Sequence, residues 1–455
     1  MGSLKFDSLP EDVLIQILLY KPELKGPENK WNSGMRTLLS ISHTNRALRR
    51  LALSTPCLWS TLGTIVIGLE DDDSSEKARR ARDEGVLNLF RLWIERSGEV
   101  PLNYKIDIQW NTPAANDLIN LFFEQKYRWR SAKVLFAESS PYLPFPSSGL
   151  KNMPCLQKLS ITSLYADFGL ETDIDLSESI QLRNLCLDGV NSSLWRTVMD
   201  TIHTQQLTKL ELALVPDGRT QVISDPYILT SLGSFTNLKR LRIIVSSYFN
   251  FDEVWDGPPV LLPNLRVLLW FGNYEAILEH LNTPSLVSLS IDQGRNRGYH
   301  IHNFLRRSSP PLENMHIATE YLEGNVFLRI LEEVPTVKTL SLNYDLLDRR
   351  TMKLHDLWSF LSINDSSTNV LLPSLTELHY STYQGLSGDE IEEVTLFSEA
   401  LSSRRKYSKN FRFYGKFSSF PRCIKNLLCP MVDGPYNHFN IKKRNRNCNN
   451  GHTIR

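Results

Sequence analysis

Between residues 156 and 380 one pattern of apolar and polar positions recurs nine times: apolar, two free positions, apolar, one free position, apolar. The copies read LQKLSI, LRNLCL, LTKLEL, LKRLRI, LRVLLW, LVSLSI, LENMHI, VKTLSL and LTELHY. They begin at Leu156, Leu182, Leu207, Leu238, Leu265, Leu286, Leu312, Val337 and Leu375. By subtraction, the starts lie 26, 25, 31, 27, 21, 26, 25 and 38 residues apart. The alternation within each copy predicts a short strand with one apolar face. A recurrence near 26 residues predicts a solenoid, because one such unit cannot bury its own apolar face and stacked units can. The stretches SSLWRTVMDTIH, NYEAILEHLN and GNVFLRILEEV between copies carry helical periodicity. The expected fold class is therefore α/β, with parallel strands on a concave face and helices or loops outside.

Alternation also predicts which side chains face solvent. These include Lys158, Ser160 and Thr162; Asn184, Cys186 and Asp188; Lys209, Glu211 and Ala213. The candidate target-binding positions among the outward residues are Arg240, Arg242, Val267, Leu269, Phe271, Ser290, Asp292, His316 and His379. Val267, Leu269 and Phe271 form an apolar row. Either that row is an open anchor site for a partner, or an insertion near residues 255–262 covers it. Longer loops are expected near residues 215–230, 246–262 and 344–372, and such loops often carry binding residues.

Ahead of the repeats, Ser8 and Glu11 have capping-box spacing and Pro10 suits a first turn, so a helix starts here. Its apolar residues Val13, Leu14, Ile15, Ile17, Leu18 and Leu19 span an arc of about 240°, where a surface helix needs about 100°. That helix must be covered from more than one side. Pro22, Gly26, Pro27 and Gly34 mark a loop; helices are expected at residues 35–42 and 45–53, followed by Leu58, Trp59 and Leu62.

Residues 70–84 mix charges of both signs and read as a solvated linker or helix face. A helix at 86–97, a strand through Leu102, Tyr104, Ile106 and Ile108, a helix at 116–127 and a strand with Val134 and Phe136 follow. Near the C-terminus a helix and a strand read as a closing cap. The expected divisions are 1–62, an N-terminal helical module; 63–128, a linker and transition; 129–385, degenerate repeats; 386–440, a cap; and 441–455, a basic tail composed like a disordered segment.

The order of parts over residues 6–62 resembles the F-box. Leu9, Pro10, Asp12 and Val13 match its L-P-x-[ED]-[VIL] start, and Pro56, Leu58 and Trp59 its closing P-x-L-W. Two features depart from that pattern: the loop after the first helix is long, and Leu48 stands where many members carry Trp. The L-x-x-x-W-x-x-R-S…PL…RW series that follows is similar to the region after the F-box in fungal F-box proteins, and the nine phrases resemble leucine-rich repeats. The resemblance implies a three-helix F-box joined to a leucine-rich-repeat solenoid. It further implies docking on a Skp-type adaptor, and through it a cullin, by Leu9, Pro10, Val13, Leu14, Ile17, Leu58 and Trp59. The repeats would then hold a protein substrate for ubiquitin transfer carried out by other subunits. The other reading of the N-terminal helices is a cap on a repeat scaffold with no ligase role.

Composition narrows the field. The chain has 455 residues, 41% of them hydrophobic and 22% charged, which is ordinary for a soluble protein. A net charge of +1 gives no basic excess of the kind that nucleic-acid or membrane-surface proteins carry. Six scattered cysteines without a C-x-x-C pair point to reduced thiols and a cytoplasmic or nuclear setting. Lys442, Lys443, Arg444 and Arg446 fit either a nuclear-import signal or an untargeted tail. No phosphate-binding, metalloprotease or nucleophile-elbow motif is present, so no catalytic residue and no cofactor is expected. The set Cys423, Cys429, Cys448 and His452 has no finger spacing, and no metal is expected there.

Overall fold

A computed structural model describes residues 9–19, 39–40, 42–44, 46–68, 75–109, 112–136, 149–163, 174–215, 227–245, 257–272, 275–294, 298–319, 322–343, 354–363, 370–382 and 391–417. The chain forms two compact units, Met1–Asp256 and Gly257–Arg455. Among the described residues no helix is long and apolar enough to cross a membrane.

The N-terminal unit opens with helices α1 (Glu11–Leu19) and α2 (Arg46–Ser54) and a 3-10 turn at Pro56–Trp59. Strands β1 (Thr61–Ile67), β2 (Leu102–Ile108), β3 (Trp129–Phe136), β4 (Lys158–Ser163), β5 (Asn184–Val190), β6 (Lys209–Leu214) and β7 (Arg240–Val245) follow. All pair in parallel and in chain order. Helices α3 (Glu76–Ser97), α4 (Pro113–Glu124), α5 (Ser192–Thr201) and α6 (Tyr227–Leu232) lie between strands. In the C-terminal unit, β9 (Val267–Phe271), β11 (Ser288–Gly294), β12 (Asn314–Thr319), β13 (Thr339–Asn343), β14 (Glu377–Thr382) and β15 (Arg412–Phe417) form a second parallel succession. A short pair, β8 (Val260–Leu261) with β10 (Leu281–Asn282), lies beside it in sequence. Helices α7 (Tyr299–Ser308), α8 (Gly324–Glu332), α9 (Leu354–Leu361) and α10 (Ile391–Tyr407) make the returns.

Each of the nine phrases becomes a strand that starts two residues after its first residue. The second and third apolar residues of every phrase point inward: Leu210 and Leu212, Leu241 and Ile243, Leu340 and Leu342 are all at most 1% exposed. Burying one such side chain contributes about 1.5–3 kcal/mol. The first residue closes a turn. The N–H of Leu156 donates to the Met153 carbonyl, that of Leu265 to Leu262, Leu286 to Thr283, Val337 to Val334 and Leu375 to Leu372. Pro154, Pro263, Pro284, Pro335 and Pro373 occupy the second turn position, where a fixed φ near −65° is preorganised. That is the physical reason for the proline ahead of so many copies.

Two sequence-based divisions change. The parallel succession begins at Thr61 in β1, not at residue 129, so the stretch expected as a linker is part of the stack. Within it, Asp83 is 4% exposed rather than solvated. Its carboxylate accepts from the Gly68 N–H (3.4 Å) and the Thr112 hydroxyl (3.3 Å), which fastens α3 to the loops after β1 and β2. β15 pairs with β14, so the expected cap extends the sheet. Residues 39–40 and 42–44 are helical, within and just after the expected helix at 35–42, whose remaining residues lie outside the described ones, as do the tail, Cys423, Cys429, Cys448 and His452; among the described residues a complete three-helix module is not shown.

Three arginines, Arg128 and Arg404 buried and Arg307 half-buried, tie successive returns together. Arg128 donates to Ser97 Oγ (2.8 Å) and the Val100 carbonyl (3.0 Å). Arg307 reaches the Leu278 (3.0 Å) and Leu281 (2.8 Å) carbonyls. Arg404 reaches those of Leu361 (2.7 Å), Leu371 (2.5 Å) and Leu372 (2.9 Å), and burial pulls its guanidinium down to about 10. In each case a charged fork donates to main-chain carbonyls of the preceding return.

Candidate functional site

Two regions carry exposed features that core packing does not require: the N-terminal helices and the open side of the strands.

In α1, Leu14 is buried, Leu9, Ile15 and Leu18 are half-buried, and Pro10 is exposed. Val13 is 38% exposed. Ile17 lies in the helix, and its side chain falls outside the described ones. Among the described side chains of that apolar arc, Val13 is the exposed one and Ile15 and Leu18 are partly open. Leu53 of α2 is also exposed. Leu58 and Trp59, expected at an adaptor edge, are instead 2% and 0% exposed. The Trp59 indole N–H donates to the Ala52 carbonyl (2.6 Å), its ring meets Trp93 edge-on at 4.6 Å, and the Arg96 guanidinium lies 4.5 Å from the ring centroid. These two side chains serve the chain's own core, locking α2 to α3, and they offer no contact surface.

The open side of β3–β7 forms a groove of about 490 Å³. Its polar lining includes Lys133, Lys158, Ser160, Asn184, Asp188, Lys209, Glu211 and Arg242, with Cys186 at its centre. The strand register sets these side chains in rows. Lys158, Asn184, Lys209 and Arg240 are successive partners in one row. Lys133, Ser160, Cys186, Glu211 and Arg242 make the next.

The charges in the groove are coupled. Glu211 lies 2.8 Å from Lys209 Nζ and 3.9 Å from Arg242. Burial pushes its carboxyl up, but the hydrogen bond and charge of Lys209, with Arg242, outweigh it and hold the group below its ordinary value. Burial pushes Asp188 the other way, to about 6, against the Gly189 N–H and the Arg242 charge. A bulge between Asp188 and Val190 places it, with Gly189 at φ 74°, a conformation glycine adopts without a Cβ clash. Burial likewise raises the Cys186 thiol, so the centre of the groove is uncharged at neutral pH.

In the C-terminal unit the open positions form rows of another kind. Leu269, Ser290, His316, Ser341, His379 and Tyr414 are successive partners. His316 Nδ1 lies 2.9 Å from Ser341 Oγ, and burial lowers its pKa. His379 stacks on Tyr414 with centroids 4.6 Å apart and rings 14° from parallel, and its Nε2 is 3.6 Å from Glu377. Val267, Leu269 and Phe271 are half-buried, and Asp292 pairs with Phe271 across the strands. Of the insertion expected to cover it, residues 255–256 lie outside the described residues and Val260–Leu261 pair with β10, so both readings of that apolar row stand.

The expected target-binding set therefore divides. Arg242 lines the N-terminal groove and Arg240 stands beside it on β7 in the row of Lys209, while Val267, Leu269, Phe271, Ser290, Asp292, His316 and His379 belong to the C-terminal unit. Sequence reasoning placed Lys158, Lys209, Glu211 and Asp188 outward without assigning them to a site. The signal was the succession of lysines and arginines on four neighbouring strands, visible only once the strands are aligned. The chain matches no model of a known protein family, and no curated protein is significantly similar to it.

Proposed function

We propose that this chain is a substrate-recognition subunit of a cullin–RING ubiquitin ligase. Its N-terminal helices hold a Skp-type adaptor, and the open strand faces hold a target protein. The chain itself contributes no bond-making step; it supplies proximity, which can replace a large translational entropy cost. The observation that supports this most is the Leu9-Pro10 start on a helix whose Val13 side chain stays 38% exposed while Leu14 is buried. A helix that serves only as a cap has no need to keep an apolar side exposed.

One observation favours the second reading, a repeat scaffold with no ligase role: Leu58 and Trp59 are sealed into the chain's own core, as a cap requires. Affinity purification of the full chain followed by mass spectrometry separates the two. The expected result is recovery of adaptor and cullin with the wild-type chain and their loss with Leu9→Ala/Pro10→Ala/Val13→Asp. Equal recovery from both, or none from either, removes the ligase reading. Trp59 must stay in any test variant, because its loss disturbs the core.

A further inference from the structure

The groove of the N-terminal unit concentrates positive charge in a chain whose net charge is only +1. Over β3–β7 the outward cations are Lys133, Lys158, Lys209, Arg240 and Arg242; the outward acids are Asp188 and Glu211. Glu211 is taken up by Lys209 and Arg242, as the 2.8 and 3.9 Å contacts show. Lys158 and Arg240 are exposed, and neither has an ion pair or hydrogen bond among the described residues. They stand in the same row at its two ends, on β4 and β7, with Asn184 and Lys209 between them.

We propose that this row binds an extended, anionic segment of a partner protein, with two anionic side chains four residues apart. The inference rests on the receptor reading for calling that partner a ubiquitination target; the binding chemistry stands without it. Three strand spacings separate Lys158 from Arg240, about 14 Å at about 4.8 Å each. An extended chain rises about 3.4 Å per residue, so positions i and i+4 lie about 14 Å apart and point the same way. One anion then meets Lys158 and the other Arg240. Between them the segment passes Asn184, which can hydrogen-bond to its backbone, and it runs beside the next row, where Ser160 offers a hydroxyl and the Cys186 thiol carries no negative charge to repel it. The ligand class is a peptide bearing carboxylates or phosphoryl groups. Among the described residues no aromatic side chain lines the groove to stack a base, so a single-stranded nucleic acid is disfavoured.

The test is fluorescence anisotropy with the full-length chain and short labelled peptides at low and physiological salt. One peptide carries phosphoserine at i and i+4, one glutamate at both, one serine at both, and one phosphoserine at i and i+2. An oligothymidylate is the nucleic-acid arm. The expected result is that the i, i+4 phosphoserine and glutamate peptides bind at least tenfold more tightly than the serine peptide. Spacing by two loses most of that gain, and added salt weakens the binding. Lys158→Glu with Arg240→Glu abolishes the preference without shifting the melting temperature, since both side chains are exposed. Thr339→Glu in the C-terminal unit leaves it intact. The proposal is overturned if the serine peptide binds equally, if the charge reversal changes nothing, if no peptide binds, or if only the oligothymidylate does. Adaptor retention is measured on the same preparations. Charge-dependent peptide binding without adaptor removes the ligase reading and leaves this site; adaptor retention without it removes this site alone.

Discussion

On the open side of the N-terminal unit the strands carry Lys105, Lys133, Lys158, Lys209, Arg240 and Arg242 against Asp107, Asp188 and Glu211; on the open side of the C-terminal unit the corresponding places hold Leu269, Ser290, His316, Ser341, His379 and Tyr414. The inner sides do not differ in this way. Both are rows of Leu, Ile, Met and aromatic residues, at most 2% exposed at Leu185, Leu210, Leu289, Met315 and Leu378. Stacking constrains one side of each strand, because a polar side chain there would be buried without a partner. The other side is free to vary, so the two units came to present different chemistry on one architecture. The N-terminal face is cationic and suits anions. The C-terminal face is close to neutral and holds its histidines by local contacts.

The largest effects should come from the shared side. Leu210→Ala and Leu340→Ala should each cost about 2–5 kcal/mol, read from denaturant unfolding of the full chain. A large loss in one unit and none in the other would show that the inner rows are not equivalent. Next, Arg404→Leu should cost about 3 kcal/mol, because it strands buried carbonyls of the preceding return. Arg240→Leu, on an exposed position, should stay within about 0.5 kcal/mol on the same unfolding curves. Similar losses from both would mean that Arg240 is structural and not part of a binding row.

The smallest predicted effect is a pH dependence confined to the N-terminal face. Asp188, raised to about 6, lies near Cys186 on its own strand, paired with Ala213 on β6 and beyond it Ile244 on β7, with Glu211 and Arg242 close by. The thiol is raised and neutral, Glu211 is lowered and stays ionised, and among the described residues no histidine lines the groove, so Asp188 is the group there that titrates. As pH falls through about 6 it takes up a proton and loses its negative charge, which favours an anionic ligand. The glutamate peptide, whose carboxylates stay ionised down to about pH 5, should bind about two- to threefold more tightly at pH 5.5 than at 7.5. Asp188→Asn should flatten that dependence in the same anisotropy assay, and an unchanged slope would take Asp188 out of the site.

How far the sequence carried depended on what each residue was asked to do. Leucines at fixed spacing located nine strands and their inward sides, because burial demands that residue type wherever the strand falls. Leu102, Tyr104, Ile106 and Ile108 gave β2 in the same way, and all are buried. β1 was missed because Thr61, Gly63 and Thr64 break the apolar alternation. The start of α3 stayed open because residues 76–84 read as a solvated linker or helix face, and only the structure shows Asp83 tied to Gly68 and Thr112. Trp129 holds the place that a leucine starts elsewhere, which hid β3 from the repeat pattern. The groove was legible only in part. Alternation faced Lys158, Lys209 and Glu211 outward, yet unequal repeat lengths conceal which residues share a row. Trp59 was legible as a closing residue, but its burial against Trp93 depends on a helix whose extent the sequence did not give.

The central claim is that the exposed side of α1 holds an adaptor, and calorimetric titration of the purified full-length chain with a purified Skp-type adaptor tests it most directly. The account predicts saturable binding at one adaptor per chain, with Val13→Asp weakening it at least tenfold while the unfolding midpoint stays in place. Absence of heat and of co-elution with a folded wild-type chain would contradict it.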